Sequence, residues 1–328
     1  MRDVAVLRDR LAQWLPAGSD LQEVLALSTG HSNETYRLQG LGQILRMPPS
    51  QQGLLPPYDM AAQHRLLDRL SRLPDGPPVP RVGSLCLDEE VLGAPFYLMD
   101  CAPGSSYDHP DIPDWVQTAS PQLRDAMCQQ WLDAIVAVTR VPVSEMVGVP
   151  HHDATQEAAH WLSVAQQAQA PASLIELLED LVATPPKPSG PPTAVHGDTR
   201  HANCLWENGI LTAFVDWELA RVADPLLDLA NTLCYFPDGY LPLTTAGFDL
   251  PGWWDRRQVV QAWEAGTGRT AVDLPRWEGL AMAKLAAVLA VGADLLTRGL
   301  STDPRFAVWQ QTLPQYVELI RFRMSLPG

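Results

Sequence analysis

His196-Gly-Asp-Thr-Arg-His-Ala-Asn203 follows the apolar run Thr193–Val195, and a second apolar run, Leu211-Thr-Ala-Phe-Val-Asp216, comes soon after it. Two short strands joined by a polar segment thus present Asp198, an Asn five residues on, and Asp216 thirteen residues past that Asn. Phosphoryl transfer needs these parts: a carboxylate beside the attacking hydroxyl, and an amide oxygen with a second carboxylate around Mg²⁺. Hard oxygen donors suit Mg²⁺, which keeps water in its shell and bridges phosphates. The bland alternative is a polar loop between buried strands, and Asn203 and Asp216 together weigh against it.

Upstream, residues 3–15 read as a helix with Val6, Leu7, Leu11, Trp14 and Leu15 on one face. The β-like runs Glu23–Ser28, Glu34–Leu38 and Gln43–Met47 follow, separated by turn residues at 28–33 and 39–42. Tyr58–Leu73 is helical in pattern, and Val79–Leu87 and Pro95–Met99 are further strand candidates. Residues 1–100 therefore read as a small antiparallel sheet with an inserted helix, and 101–328 as a mainly helical part. A hinge is expected at about 99–104, where Asp100-Cys-Ala-Pro-Gly104 breaks periodicity. Helices are expected at 121–140, 155–169, 173–183, 224–235, 256–266, 276–299 and 306–324, with a stiff Pro-rich connector at 185–192.

Composition excludes several classes. The formal net charge of −15 argues against nucleic acid, whose phosphates require a basic surface. Residues 1–100 carry net −3 and 101–328 net −12, which would either attract a cationic substrate or simply be a solvated surface. The five cysteines are widely and irregularly spaced, so neither a disulfide framework nor a zinc site is expected. No run of 18 apolar residues occurs, and the charged stretch Met1–Leu15 lacks the apolar core of a signal peptide. A cytoplasmic location with no membrane partner is the expectation. His64, His109, His151, His152 and His160 show no metal-ligand spacing. Trp253, Trp254, Trp263 and Trp277 read mostly as core, with one or two free to line an acceptor pocket.

The spacing from Asp198 to Asn203 equals that of the protein-kinase loop H-R-D-x-x-x-x-N. Further blocks extend the likeness: Ser28-Thr-Gly-His-Ser-Asn-Glu-Thr-Tyr-Arg-Leu38, Ile44-Leu-Arg-Met-Pro-Pro49, Gly93-Ala-Pro-Phe-Tyr-Leu-Met99, Pro103-Gly104, and Val215-Asp-Trp-Glu-Leu-Ala220 with Asp224, Pro225 and Asp228. On these blocks the chain resembles the aminoglycoside phosphotransferase-like family, above all the branch that includes kinase domains fused to acyl-CoA dehydrogenases. The resemblance implies an α+β, protein-kinase-like two-lobed fold. It implies a Mg²⁺-dependent kinase moving the γ-phosphoryl group of ATP or GTP to a hydroxyl of an aminoglycoside-type antibiotic or a hydroxylated metabolite. It implies Asp198 as base, Asn203 and Asp216 as metal ligands, a structural His196, and Asp224 and Asp228 as braces.

The nucleotide site is expected at three places. The turn Gly30-His-Ser-Asn33 aims backbone N–H groups and the Ser32 hydroxyl at phosphates, with Gly30, Ser32 and Asn33 in contact; a plain hairpin is its alternative. Met99 and Cys101 belong to the hinge that would bind the base, and Met99 and Ile44 are equally explained as sheet core. The family's strand lysine and helix glutamate are replaced by Arg46 and Gln63; only two lysines occur, Lys187 and Lys284. Arg46 is expected to bridge phosphate oxygens through its planar fork, with Gln63 accepting from it. This departure keeps a rival open, a nucleotide-binding pseudokinase or regulatory binding protein.

Overall fold

The computed structural model describes residues 2–27, 32–107, 112–236 and 250–326. Its N-terminal region runs α1 (Val4–Trp14), β1 (Glu23–Ala26), β2 (Glu34–Gln39), β3 (Gln43–Met47), α2 (Met60–Leu70), β4 (Val82–Cys86), α3 (Glu89–Leu92) and β5 (Phe96–Asp100). The five strands form one antiparallel sheet in the order β1-β2-β3-β5-β4. Strand alternation gives the sheet two working faces. Leu45 and Met47 of β3 and Phe96 and Leu98 of β5 join Leu7 and Leu11 of α1 in one core. Ile44, Tyr97 and Met99 point the other way, into the larger core shared with α2 and the helical part. Arg46 lies in register with Tyr97 on that second face, so strand period alone turns it inward.

The rest is mainly helical: α4 (Asp114–Gln117), α5 (Pro121–Thr139), α6 (Ala154–Gln167), α7 (Ala172–Ala183), α8 (Leu226–Leu233), α9 (Arg256–Thr267), α10 (Leu274–Thr297) and α11 (Pro304–Ser325). Between α7 and α8 lie four short strands, β6 (Thr193–Val195), β7 (Cys204–Glu207), β8 (Ile210–Phe214) and β9 (Arg221–Ala223), paired as β6–β9 and β7–β8. The chain is thus α+β, an antiparallel sheet followed by a mostly helical part. Strands β7 and β9 and the short α3 and α4 were not expected from the sequence; none exceeds four residues, too few to display a period.

Two long-range devices hold the functional segments. Gly104 has φ +90°, and a Cβ there would lie 2.2 Å from the Trp206 carbonyl oxygen, so only glycine lets the segment after β5 lie on β7. Ser105 and Trp206 then exchange backbone hydrogen bonds of 3.1 and 3.0 Å. Helix α10 is apolar and long enough, by composition alone, to cross a bilayer, contrary to the simple apolar-run count. Here 61% of its most apolar window is buried in the protein, and it carries buried Glu278 and Lys284. Glu278 pairs with Arg256 and Arg323, so the helix is a core element tied by ions to α9 and α11.

Candidate active site

Strand pairing sets the site. Cys204 of β7 pairs with Phe214 of β8, and at the open end of this hairpin the Val215 N–H donates to the Asn203 carbonyl at 2.8 Å. Asn203 and Asp216 are thereby neighbours despite the intervening residues. Asp216 adopts a left-handed conformation, φ +68°, uncommon for a non-glycine residue and typical of functional turns.

Asp198 is held from both sides of its peptide. Its N–H donates to His196 Nδ1 at 3.2 Å, while His196 Nε2 donates to the Val215 carbonyl at 3.0 Å. This pattern fixes the neutral imidazole tautomer with the proton on Nε2. Burial pushes the His196 pKa down to about 4, against the pull of the Asp198 and Asp216 charges. The ring stacks on Phe214 with centroids 4.1 Å apart, so His196 packs beneath the loop and does not act as a base. The Gly197 N–H and the His196 N–H both donate to Asp228, at 2.8 and 2.7 Å. Burial lifts the Asp228 pKa to about 6 in spite of those two donors. Asp224 takes the Ser189 N–H and hydroxyl at 2.6 and 2.8 Å and the Leu226 N–H at 2.9 Å, bracing the connector and the start of α8.

The Asp198 carboxylate itself faces a cleft of about 350 Å³, shared with Asp216, Arg46, Ser32 and Asn33. Burial works to raise its pKa, but the cations of Arg200 and Lys284 and the Asn203 amide outweigh burial and hold it below the ordinary carboxylate range. It is therefore ionised and able to accept a proton. Asn203 Nδ2 donates to the Asp198 carbonyl and to Oδ2, both at 2.9 Å. With its amide nitrogen committed, Asn203 presents Oδ1 as an acceptor. Asn203 Oδ1 and the Asp216 carboxylate are two hard oxygen donors at one hairpin end, a set that fits Mg²⁺ with water and phosphate completing its shell.

Three expectations change. Arg46 does not contact Gln63: Nη2 sits 2.5 Å from Asp216 Oδ1 and Nη1 donates to Thr35 Oγ1 at 3.1 Å. Gln63 Oε1 instead accepts from Asn33 Nδ2 at 3.3 Å. A full negative charge attracts the guanidinium where a neutral amide oxygen does not, so Asp216 takes it. Burial acts to lower the Arg46 pKa, but the Asp216 carboxylate and the negative surroundings drive it above the usual guanidinium value. Second, the Cys101 N–H donates to the Gly42 carbonyl at 2.9 Å, so that hinge group is committed to the sheet and not presented to a base. Third, Met99 opens onto a small pocket of about 30 Å³ that it shares with Arg46, Tyr97 and Trp217. Ile44 is buried opposite it as sheet core. Gly30 lies outside the described residues.

Sequence reasoning missed Glu218. Its carboxylate accepts from the Ser32 hydroxyl and from Asn33 Nδ2, the latter at 2.8 Å, tying the phosphate-turn residues to the segment after Asp216. Burial, with the charges of Asp216 and Asp198, raises its pKa to about 7. The signal was present as an acid two residues after Asp216, but its partners are 185 residues and more away. Lys284 was missed for a related reason, as the one lysine inside an apolar helix.

Known proteins share this fold. Over 256 residues the chain is 29% identical to acyl-CoA dehydrogenase family member 10 of Mus musculus, covering 74% of this chain and 24% of that protein. The chain thus spans about a quarter of that relative's length. A candidate aminoglycoside phosphotransferase from Ralstonia eutropha has the same fold, with a TM-score of 0.75, 20% identity and 98% of each chain covered. The complex of APH(2″)-IIIa with GDP and kanamycin gives a TM-score of 0.62 at 17% identity, over 96% of this chain and 97% of that one. Residues 23–278, containing the sheet and the Asp198–Asp216 hairpin, match the phosphotransferase enzyme family, and the chain belongs to that family.

Proposed function

We propose that the chain transfers the γ-phosphoryl group of ATP or GTP to a hydroxyl of a small molecule, with Mg²⁺ held by Asn203 and Asp216. The observation that carries this reading is the convergence of Asp198, Asp216 and Arg46 on one cleft, with Asn203 joined to both acids. Asp198, ionised and fixed by the Asn203 amide, accepts the proton of the acceptor hydroxyl as its oxygen bonds to the γ-phosphorus. The bond from that phosphorus to the bridging oxygen breaks, and the nucleoside diphosphate departs. When bound, Mg²⁺ neutralises charge on the phosphate oxygens. Arg46 leaves Asp216 for the phosphates, where its fork engages two oxygens. Ser32 and Asn33, now on Glu218, offer a hydroxyl and an amide donor to the same phosphates.

The acceptor end of the cleft favours a hydroxylated metabolite with an apolar skeleton over a polycationic antibiotic. Leu285, Val288 and Leu289 of α10 and Trp309 of α11 form its wall. The acids that line the cleft among the described residues, Asp198, Asp216 and Glu218, gather at the phosphoryl end. GDP and kanamycin in the related complex support a nucleotide and a small alcohol as the two substrates. The Arg46–Asp216 pair and the absence of a glutamate at Gln63 favour one second reading, a nucleotide-binding protein with little turnover. A thermal-shift screen of hydroxy acids, hydroxyacyl thioesters and aminoglycosides with Mg²⁺ and nucleotide, followed by single-turnover transfer of labelled γ-phosphate, tests both. Nucleotide binding without transfer to any stabilising alcohol would favour the second reading.

A further inference from the structure

Lys284 stands in the middle of an apolar helix, 3% exposed, and is one of two lysines in the chain. A buried ammonium is costly unless it is paired and hydrogen-bonded. Among the described residues its hydrogen bond runs to the Gly197 carbonyl oxygen, the peptide that leads into Asp198. Gly197 has φ +85°, and a Cβ there would lie 2.2 Å from the Leu219 carbonyl oxygen, so the backbone is pinned where only glycine fits. Its N–H is taken by Asp228 Oδ1 at 2.8 Å. The Gly197 residue is therefore gripped on both sides by buried, oppositely charged groups, an anion at the nitrogen and a cation at the oxygen. Lys284 also lines the cleft beside Asp198, and the next residues of α10 on that face, Leu285, Val288 and Leu289, are the acceptor wall. Groups facing the ammonium include Asp198, Asp228, Glu157 and Arg221.

We infer that Lys284 is a positioning residue for phosphoryl transfer: by holding the Gly197 carbonyl it sets the Asp198 carboxylate against the hydroxyl that the α10 wall presents. The acceptor wall and the loop bearing the base are then built from one rigid element, and a shift of either moves the other. A displacement near 1 Å in such a pair costs about 10²-fold in rate, with no cost to nucleotide binding, which involves other residues. This inference rests on the phosphotransferase reading.

The test uses the full chain, MgATP as probe and water as acceptor, with three readouts: ADP release under single turnover, MgATP affinity by calorimetry, and the melting temperature. Lys284→Met is expected to lower ADP release at least tenfold with MgATP affinity within twofold of wild type. Lys284→Gln, which keeps a donor of similar reach for the Gly197 carbonyl, is expected to recover several-fold of that loss. A Lys284→Met variant with wild-type ADP release overturns the inference, as does a rate loss matched by an equal loss of affinity. Where Lys284→Met fails to fold, Lys284→Gln decides: a several-fold lower rate at unchanged affinity is expected, and an unchanged rate overturns the assignment. A wild-type protein that binds neither MgATP nor MgGTP and releases no nucleoside diphosphate from either overturns the phosphotransferase reading itself, which separates the two failures.

Discussion

The Arg46 guanidinium of strand β3 lies 2.5 Å from Asp216 Oδ1, so the cation expected to meet phosphate is engaged by the carboxylate expected to meet metal. The two side chains are 14% and 26% exposed, enough for entering phosphate to reach them. On the proposed phosphotransferase reading an exchange of partners on nucleotide binding is expected: Arg46 would move to phosphate oxygens and leave Asp216 available to a divalent cation.

Substitutions at Arg46 should read out that exchange. Arg46→Lys keeps the charge and loses the fork, and the Michaelis constant for nucleotide should rise several-fold, with a larger rise for Arg46→Ala. Gln63→Glu should be neutral, because the oxygen that accepts from Asn33 is retained. Steady-state kinetics against nucleotide concentration checks all three. Wild-type constants for both Arg46 variants would place phosphate binding on other groups.

Asp198→Asn removes the proton acceptor and keeps the shape of the side chain. Turnover should fall by at least about 10²-fold, the scale of a lost general base, while calorimetry shows nucleotide affinity nearly unchanged. Near-normal turnover in this variant would transfer the base to another residue.

Nucleotide affinity should depend on Mg²⁺ or Mn²⁺, and Asp216→Ala should erase the dependence. Titrations with and without EDTA give the answer directly. Equal affinities for the wild-type protein under both conditions would remove Asn203 and Asp216 from metal binding.

His196 should contribute a loss of stability on mild acidification. Its pKa is pushed down to about 4 in the folded chain, by burial, whereas an unfolded histidine titrates near the ordinary 6.5. The unfolded state then binds more protons between those values, so stability is complete above the unfolded pKa and is lost as pH drops toward the folded one. The loss due to this residue should reach about 2 kcal/mol by about pH 5. His201, pushed down to about 3 by burial, adds in the same direction. Asp228 and Glu218, raised to about 6 and about 7 chiefly by burial, act in the opposite sense. Urea denaturation at about pH 7 and about pH 5 is therefore compared between the wild type and His196→Gln, and an equal pH dependence in the two would contradict the buried neutral His196.

What the sequence displayed and what it hid divide along physical lines. Local patterns survive folding: the strand-loop-strand around Asp198, the third strand that carries Arg46, and the periodic helices all appear near their expected bounds. Pairings across long separations were not legible. Arg46 finds Asp216 across 170 residues, and the Ser32 hydroxyl finds Glu218 across 186. Such contacts depend on how the sheet is laid over the hairpin, which no window of sequence contains. The Cys101 N–H shows the same limit on a smaller scale. Its bond to Gly42 exists because the β3–β5 ladder runs one step past Gln43 and Asp100, a register detail that propensity does not encode.

The bonds from Ser32 and Asn33 to Glu218, with the Arg46–Asp216 pair, give the cleft a further property. The Ser32 hydroxyl, the Asn33 amide and the Arg46 guanidinium, donors suited to a phosphate oxygen, are each answered by a carboxylate. An arriving polyanion gains only the difference between its own contacts and those it displaces, and it sets free two acids beside itself. A bare triphosphate would find that exchange nearly even, whereas one that arrives with its divalent counter-ion gives the released acids somewhere to go. On the proposed reading, these contacts would therefore favour the chelated form of a phosphate ligand over the unchelated one.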